Sequence, residues 1–548
     1  MVHEVVIFDS TLRDGAQTRG VSFSVDDKIK IVKALDVLGI QYIEAGNPGS
    51  NIKDIEFFKR AQKLELKHAK LTAFGSTRRK DITVEEDKNV QSLLSANTSA
   101  VAIFGKSWDF HVTDIIRTTL EENLNMIRDT IRFFKEKQKE VIFDAEHFFD
   151  GYKANPLYAM ETLRVAAEAG ADCLVLCDTN GGSFPDEVYE VTKKVVETFS
   201  TDVGIHCHND CGMAVANTMM AVKAGAVHVQ GTYIGLGERC GNANLSTLIP
   251  NLQIKKNIRC IPEEQLSQLT ATARYIAEVT NISLDAASPY VGNNAFAHKG
   301  GMHVDGVNKA SRSFEHIPPH LVGNSRKILM SEVSGKNTLL SKIQKIEPKL
   351  TKESPQTQEI LDKLKLLEHK GYQFEGAESS FELLIRKHLG KYQPFFELNY
   401  YKVIEEGPTV NGEYSSSALI KVRVNDKEEM TATEGRGPVH ALDLALRKAL
   451  EVFYPILKTV YLTDYKVRVL DAKNTTAAKV RVLIESTDGK ESWTTVGVST
   501  NIIEASAIAL VDSIEYKLIK ELEKNEKGGA YHGNDNDTKN TSGACRVG

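Results

Sequence analysis

The feature that most constrains this chain is an alternation repeated eight times within its first 231 residues. Short apolar runs occur at Val5–Asp9, Gln41–Ala45, Lys70–Phe74, Ala100–Phe104, Val141–Ala145, Cys173–Cys177, Val203–Cys207 and His228–Gly231. A longer segment of helical period follows each. The runs recur about every 25 to 41 positions, the length of a strand plus its crossover helix. Several are apolar on both faces (VVIFD, CLVLC, VGIHC), as parallel strands covered by helices must be. Eight such units predict a closed (β/α)8 barrel of the TIM type. An open doubly wound sheet is the alternative, but no G-x-G-x-x-G follows the first strand.

Helix ends are legible. Ser24 is placed to cap the first helix, Asp26 and Asp27 suit its positive end, and Gly39 can close it. Ile31, Leu35 and Leu38 form its buried stripe. Asn155-Pro156 opens another helix and Gly170 stops it.

The chain divides by pattern into an α/β barrel over 1–260, helical subdomains and a linker over 261–390, an α+β module over 391–523, and a tail over 524–548. Residues 348–358 read as the linker. The tail is rich in Gly, Asn, Lys and Thr and is expected to be disordered. The α+β module carries a weak repeat. Tyr400-Tyr-Lys-Val403 recurs as Asp464-Tyr-Lys-Val467, and His440–Leu446 recurs as Glu504–Leu510, both at an offset of 64. Two stacked copies suit binding between them or simple dimerisation.

Composition excludes several classes. With 68 basic and 73 acidic residues the net charge is −5, so no basic excess points to nucleic acid. No apolar run is long enough to span a bilayer, and no signal-like segment opens the chain. A cytoplasmic, reduced protein is expected. Seven cysteines do not form a small-scaffold disulfide framework.

In a parallel barrel the chemistry sits where strands end and βα loops begin. Those ends are rich in ionisable groups: Asp9, Arg13, Asp14 and Gln17 after the first strand, Glu44 on the second, Asp144 and Glu146 at the fifth. Asp178 and Thr179 follow the sixth, His206, His208 and Asp210 the seventh, Glu238, Arg239 and Asn242 the eighth. His206 and His208 are two apart on a strand and share a face. With Asp14 following the first strand, which lies near the seventh in a closed barrel, they make a plausible divalent-metal site. Hydrogen-bonded core histidines are the other reading. Cys207 points to the opposite face and Cys211 lies past the strand end, so zinc through these thiols is disfavoured. Arg13 beside Asp14 is either an internal ion pair or a fixed guanidinium for a developing oxyanion. Adjacent residues on an extended segment face opposite ways, so a direct pair is not expected. Phe74 and Phe104 end the third and fourth strands. They are either core aromatics or the bulk that closes a small substrate pocket.

Thr11-Leu-Arg-Asp-Gly-Ala-Gln17, His206-x-His208-Asn-Asp210 and Gly237-Glu-Arg-x-Gly-Asn242 resemble the motifs of the DRE-TIM metallolyase superfamily. Within it the chain resembles the 2-isopropylmalate/citramalate/homocitrate synthase branch, most of all its firmicute-type citramalate synthases. Residues 144–153, 297–303 and 462–469 carry that narrower match. The resemblance implies a Claisen-type condensation of acetyl-CoA with a 2-keto acid, here pyruvate, followed by thioester hydrolysis. It implies that Asp14, His206, His208 and Asn242 hold a divalent metal (Mn2+, Mg2+ or Zn2+) and that Arg13 neutralises the alkoxide. Thr179 would bind the keto-acid carboxylate. Gln17, Glu44 and Asp144 would line the substrate pocket, with Glu146 at the acetyl-group site and His303 as general base. It further implies a homodimer and an allosteric C-terminal module that binds an amino acid, isoleucine in citramalate synthases and leucine in isopropylmalate synthases. Phe314 stands where many relatives carry Tyr.

The alternatives are isopropylmalate or homocitrate synthase on the same scaffold, a lyase or biotin-dependent carboxyltransferase, and a metabolite sensor without catalysis. The duplicated module argues against a lyase, and no Met-Lys-Met attachment motif occurs. The complete metal constellation argues against a sensor.

Overall fold

A computed structural model describes residues 3–299, 301–328, 336–351, 353–406, 415–470, 478–489 and 491–529. Two compact units emerge, one within Met1–Ala297 and Ala310–Lys327, the other within His298–Lys309 and Ile328–Gly548.

The first unit is a closed parallel barrel of eight strands in sequential order. They are β1 Val6–Asp9, β2 Tyr42–Gly46, β3 Lys70–Ser76, β4 Ala100–Lys106, β5 Glu140–Glu146, β6 Cys173–Asp178, β7 Asp202–Cys207 and β8 His228–Gly231. β1 pairs with β8, Val6 against His228 through Asp9 against Gly231, and this pairing closes the cylinder. The open doubly wound alternative is thereby excluded. Several strands run past the apolar runs that announce them, ending in Ser76, Lys106, Glu146 and Asp178.

The helices start and stop where the local chemistry says. Ser24 caps the helix Val25–Leu38 in a reciprocal box with Asp27, and Gly39 closes it in the left-handed conformation. Asn155 caps Pro156–Glu168, with proline in its first turn. The apolar faces of helices and strands merge in one large core that includes Ile31, Leu35, Phe134, Leu163 and Val229. Inside the cylinder Phe8, Ala102, Ile142, Cys173, Val175 and Cys177 form a smaller cluster of their own. Leu269, Ala273, Ile276, Tyr290 and Phe296 belong to the large core. Residues 261–297 therefore pack with the barrel rather than apart from it.

In the second unit, two antiparallel three-stranded sheets each carry a helix. The first is β9 Glu397–Glu406, β10 Ser415–Val424 and β11 Lys427–Gly435, with helix Pro438–Glu451. The second is β12 Tyr461–Val469, β13 Val480–Thr487 and β14 Ser492–Ser499, with helix Ile502–Gly529. The pairing slips between Leu398 and Tyr400 in one and between Leu462 and Asp464 in the other, the offset of 64 seen in the sequence. The repeat is thus structural down to its bulge. Helices Lys336–Ile346, Pro355–His369 and Glu378–His388, with the turn Phe374–Gly376, bury Ile343, Ile360, Phe374 and Phe381 in one cluster with Val496 of the second sheet.

Two sequence expectations need correction here. The linker over 348–358 is partly a helix, because Pro355 supplies a favourable first-turn residue for a segment that runs to His369. The helix begun at Ile502 continues to Gly529, past the expected start of the tail at 524, and Lys520, Glu523 and Lys524 on it make ion pairs. The remainder of the tail, 530–548, lies outside the described residues.

Candidate active site

The loop after β1 is a tight turn. The backbone N–H groups of Arg13 and Gly15 both donate to the Ser10 carbonyl, at 3.1 and 3.0 Å. Asp14 has helical dihedrals (φ −70°, ψ −41°). This overturns the expectation that Arg13 and Asp14 diverge: the segment is curled rather than extended, so Arg13 Nη1 donates to Asp14 Oδ2 at 2.9 Å. Arg13 Nε donates to Glu44 Oε2 at 2.6 Å, and its guanidinium carbon lies 3.8 Å from the Phe74 ring centroid. Glu44 is fully buried and also accepts from the Ser10 hydroxyl. An unpaired buried cation would cost several kcal/mol, so these partners are what allow Arg13 to remain there charged. Burial opposes its charge, but Glu44 and Asp14 outweigh burial and hold it protonated.

His206 and His208 leave β7 on one face, toward Asp14. His206 Nε2 lies 3.8 Å and His208 Nε2 3.7 Å from Asp14 Oδ2. One ligand atom from each of the three lies within 4.8 Å of the others, and all three residues are buried. β7 and β8 are in register at His206 and Gln230, and His206 Nδ1 meets Gln230 Oε1 at 2.9 Å. Gln230 Nε2 donates to Asp144 Oδ1 at 2.9 Å. Asn242 pairs with His208 across a β-bridge, and its Nδ2 donates to Asp14 Oδ1 at 2.8 Å. Gly237 permits that approach: at φ +155°, a Cβ there would lie 2.2 Å from Asn242 Nδ2.

Electrostatics divide these groups. Burial would raise the Asp14 carboxyl, but Arg13 and the two histidines hold it well below the ordinary carboxylate range. Burial, helped by His208, lowers His206 to about 3, and burial lowers His208 as well. Burial and the Glu44 carboxylate push Asp144 up to about 8, and burial raises Glu44. Two imidazoles that burial disfavours as cations face one carboxylate that its neighbours favour as an anion. Among the described residues Asn242 Oδ1 is buried without a hydrogen-bond partner. This donor set fits a divalent cation, with the amide oxygen as a further ligand.

A cavity of about 230 Å³ opens above these groups. Its wall includes Arg13, Asp14, Gln17, Asp144, Glu146, Thr179, His206 and His208, eight of the residues singled out from sequence. Phe74 and Phe104 stack at 5.2 Å, and both line it. Glu44 lies behind Arg13 rather than on the wall. Glu146 is ion-paired with Lys106, its register partner on β4. Thr179 accepts from the His147 backbone N–H at 2.9 Å. Arg239 clamps Asp210 at 2.8 and 2.9 Å and donates to the Thr179 carbonyl at 2.7 Å, tying together the loops after β6, β7 and β8. His303 is exposed on the helix Gly301–Lys309 of the second unit. Phe314 is also exposed. Cys207 is buried in the outer core and Cys211 is exposed, in keeping with their exclusion as ligands.

Sequence reasoning missed Ser10, Lys106, Cys177 and Gln230. Gln230 was within reach, since it shares the inward parity of His228 on β8. Lys106 was hidden because its strand outruns the apolar run.

Family models cover nearly the whole chain. An HMGL-like model matches residues 4–276, a homocitrate synthase post-HMGL domain-like model 290–372, and a LeuA allosteric (dimerisation) domain model 375–518. An (R)-citramalate synthase of Aquifex aeolicus is 54% identical over 96% of this chain and 99% of its own length. That of Geobacter sulfurreducens is 51% identical over 95% and 99%. A 2-isopropylmalate synthase of Methanocaldococcus jannaschii is 32% identical over 95% and 96%. With full-length agreement at this level, the chain belongs to the family of (R)-citramalate synthases, within the wider group that includes the 2-isopropylmalate synthases.

Proposed function

We propose that this chain joins acetyl-CoA to pyruvate and hydrolyses the thioester, giving (R)-citramalate and CoA. The observation that carries the reading is the convergence of Asp14, His206 and His208 at the barrel mouth, beside an Arg13 held in place by Glu44. A divalent cation (Mn2+, Mg2+ or Zn2+) held by these three residues and Asn242 would supply chelation and Lewis acidity for the keto acid. The acetyl methyl group gives up a proton, for which His303 is the proposed base, and its carbon attacks the keto carbon of pyruvate. The carbonyl π pair moves to oxygen, where Arg13 compensates the charge. Thr179 receives the substrate carboxylate. Gln17 and Asp144 line the same pocket, and Glu146 orients the acetyl group. Water then cleaves the thioester and CoA leaves.

The stacked Phe74 and Phe104 on the cavity wall are read as the bulk that favours pyruvate over branched or longer keto acids. The two-copy module is read as the homodimerisation and effector-binding part, with isoleucine as the inhibitor of a cytoplasmic isoleucine-forming route. An effector acts there only if it binds two states of the dimer unequally. The test is thiol release by the purified chain with pyruvate, 2-oxoisovalerate and 2-oxoglutarate in turn, with chelator, and with isoleucine or leucine. Pyruvate should be preferred, chelator should abolish release, and isoleucine should inhibit. Preference for 2-oxoisovalerate would transfer the chain to isopropylmalate synthesis.

A further inference from the structure

Gln230 is fully buried on β8, and both ends of its amide are used. Oε1 faces His206 Nδ1 at 2.9 Å, and Nε2 donates to Asp144 Oδ1 at 2.9 Å. The orientation of a side-chain amide follows from its partners. Asp144 Oδ1 accepts the N–H on one side, as it does whether the carboxyl is ionised or holds its proton on Oδ2, so the carbonyl oxygen is presented to the imidazole. An acceptor at Nδ1 requires the proton of neutral His206 to sit there. The lone pair is then on Nε2, the atom 3.8 Å from Asp14 Oδ2. A neutral imidazole can carry its proton on either ring nitrogen, and the hydrogen bond made by one nitrogen decides which. Gln230 makes that bond.

We infer that Gln230 is a positioning residue that selects the Nδ1–H tautomer of His206, and so sets the metal affinity of the site while linking that ligand to the pocket wall at Asp144. The inference rests on the proposed role of Asp14, His206 and His208 as metal ligands. Its two halves are separable. The carbonyl end serves the metal ligand. The amino end serves Asp144, which lines the substrate cavity. Partners that orient a metal-bound histidine are worth about 10–100-fold in affinity when removed.

The experiment titrates Co2+ into chelator-stripped full-length chain. Affinity comes from competition with a chromophoric chelator, and ligand geometry from the visible d–d absorption. The parent chain should bind one equivalent, and a His206→Ala control should not. Absence of binding by the parent overturns the metal-site reading itself and this inference with it. Gln230→Met keeps the side-chain length and loses both hydrogen bonds. It should bind Co2+ about 10–100-fold more weakly, with an altered spectrum. Gln230→Glu keeps the acceptor toward His206 and loses the donor toward Asp144. It should retain most of the Co2+ affinity while the KM for pyruvate rises. If the parent binds Co2+ and Gln230→Met binds it equally well with the same spectrum, Gln230 has only a packing role. If Gln230→Glu loses the metal as fully as Gln230→Met, the tautomer argument is wrong. Thermal midpoints measured alongside identify any variant that has lost its fold, and the other variant then decides.

Discussion

His206 and His228 sit on neighbouring strands, β7 and β8, and both are buried inside the same cylinder. Burial drives both well below the ordinary histidine range, to about 3. By that measure alone they are indistinguishable. Their surroundings are opposite. His206 lies at the mouth, fixed by Gln230 and facing Asp14 and His208. His228 lies toward the other end, against Phe8 at 5.3 Å and Tyr42 at 5.9 Å, and its Nε2 finds no hydrogen-bond partner among the described residues. A perturbed pKa marks a functional residue only when the partners converge on a space a ligand can enter.

The largest effect that would sharpen the contrast is loss of catalysis on one side only. His206→Ala should lower CoA release by at least about 10³-fold, because the electrophilic centre is lost. His228→Leu should leave the rate within about threefold, as a volume-conserving change away from the mouth. Equal losses in the two variants, measured by thiol release under saturating pyruvate, would erase the distinction.

Arg13→Lys comes next. An ammonium cannot donate to Asp14 and Glu44 as a planar fork while stacking on Phe74. A fall in kcat of about 10²–10³-fold is expected, the usual cost of one lost oxyanion donor. A fall in pyruvate affinity alone, with kcat unchanged, would reassign Arg13 to ground-state binding.

Phe104→Ala tests the cavity wall. Removing one ring of the stacked pair should shift the kcat/KM ratio of 2-oxoisovalerate to pyruvate upward by about 10–200-fold. An unchanged ratio would return Phe104 to the barrel core.

The barrel was legible because buried parallel strands must be apolar on both faces, and eight such runs leave few alternatives. The Asp14–His206–His208 cluster was legible because period-two spacing puts His206 and His208 on one face. The Arg13–Asp14 pair was not, since no residue between Ser10 and Gly15 announces the turn that bends one toward the other. Glu44 and Gln230 act through Arg13 and His206 rather than on the cavity. Such roles depend on cross-strand register, which one strand's sequence does not encode.

The smallest effect concerns His228 and appears only in acid. Its folded pKa of about 3 lies below the ordinary value of 6.5, so the unfolded chain takes up the proton first. The parent therefore loses stability as pH falls from about 6.5 toward 3, and loses none through this group above that window. The loss is about 3 kcal/mol by pH 4, at 1.36 kcal/mol per unit. His228→Leu has nothing to titrate and keeps the ring contacts apolar. Urea midpoints for parent and variant should be close at pH 7.5 and diverge in the variant's favour at pH 6, 5 and 4. Other acid-sensitive groups, Asp14 among them, contribute equally to both chains and cancel in the difference. If the two curves stay parallel down to pH 4, either His228 is not held neutral by its burial or it finds a partner when protonated, and the contrast with His206 loses its physical basis.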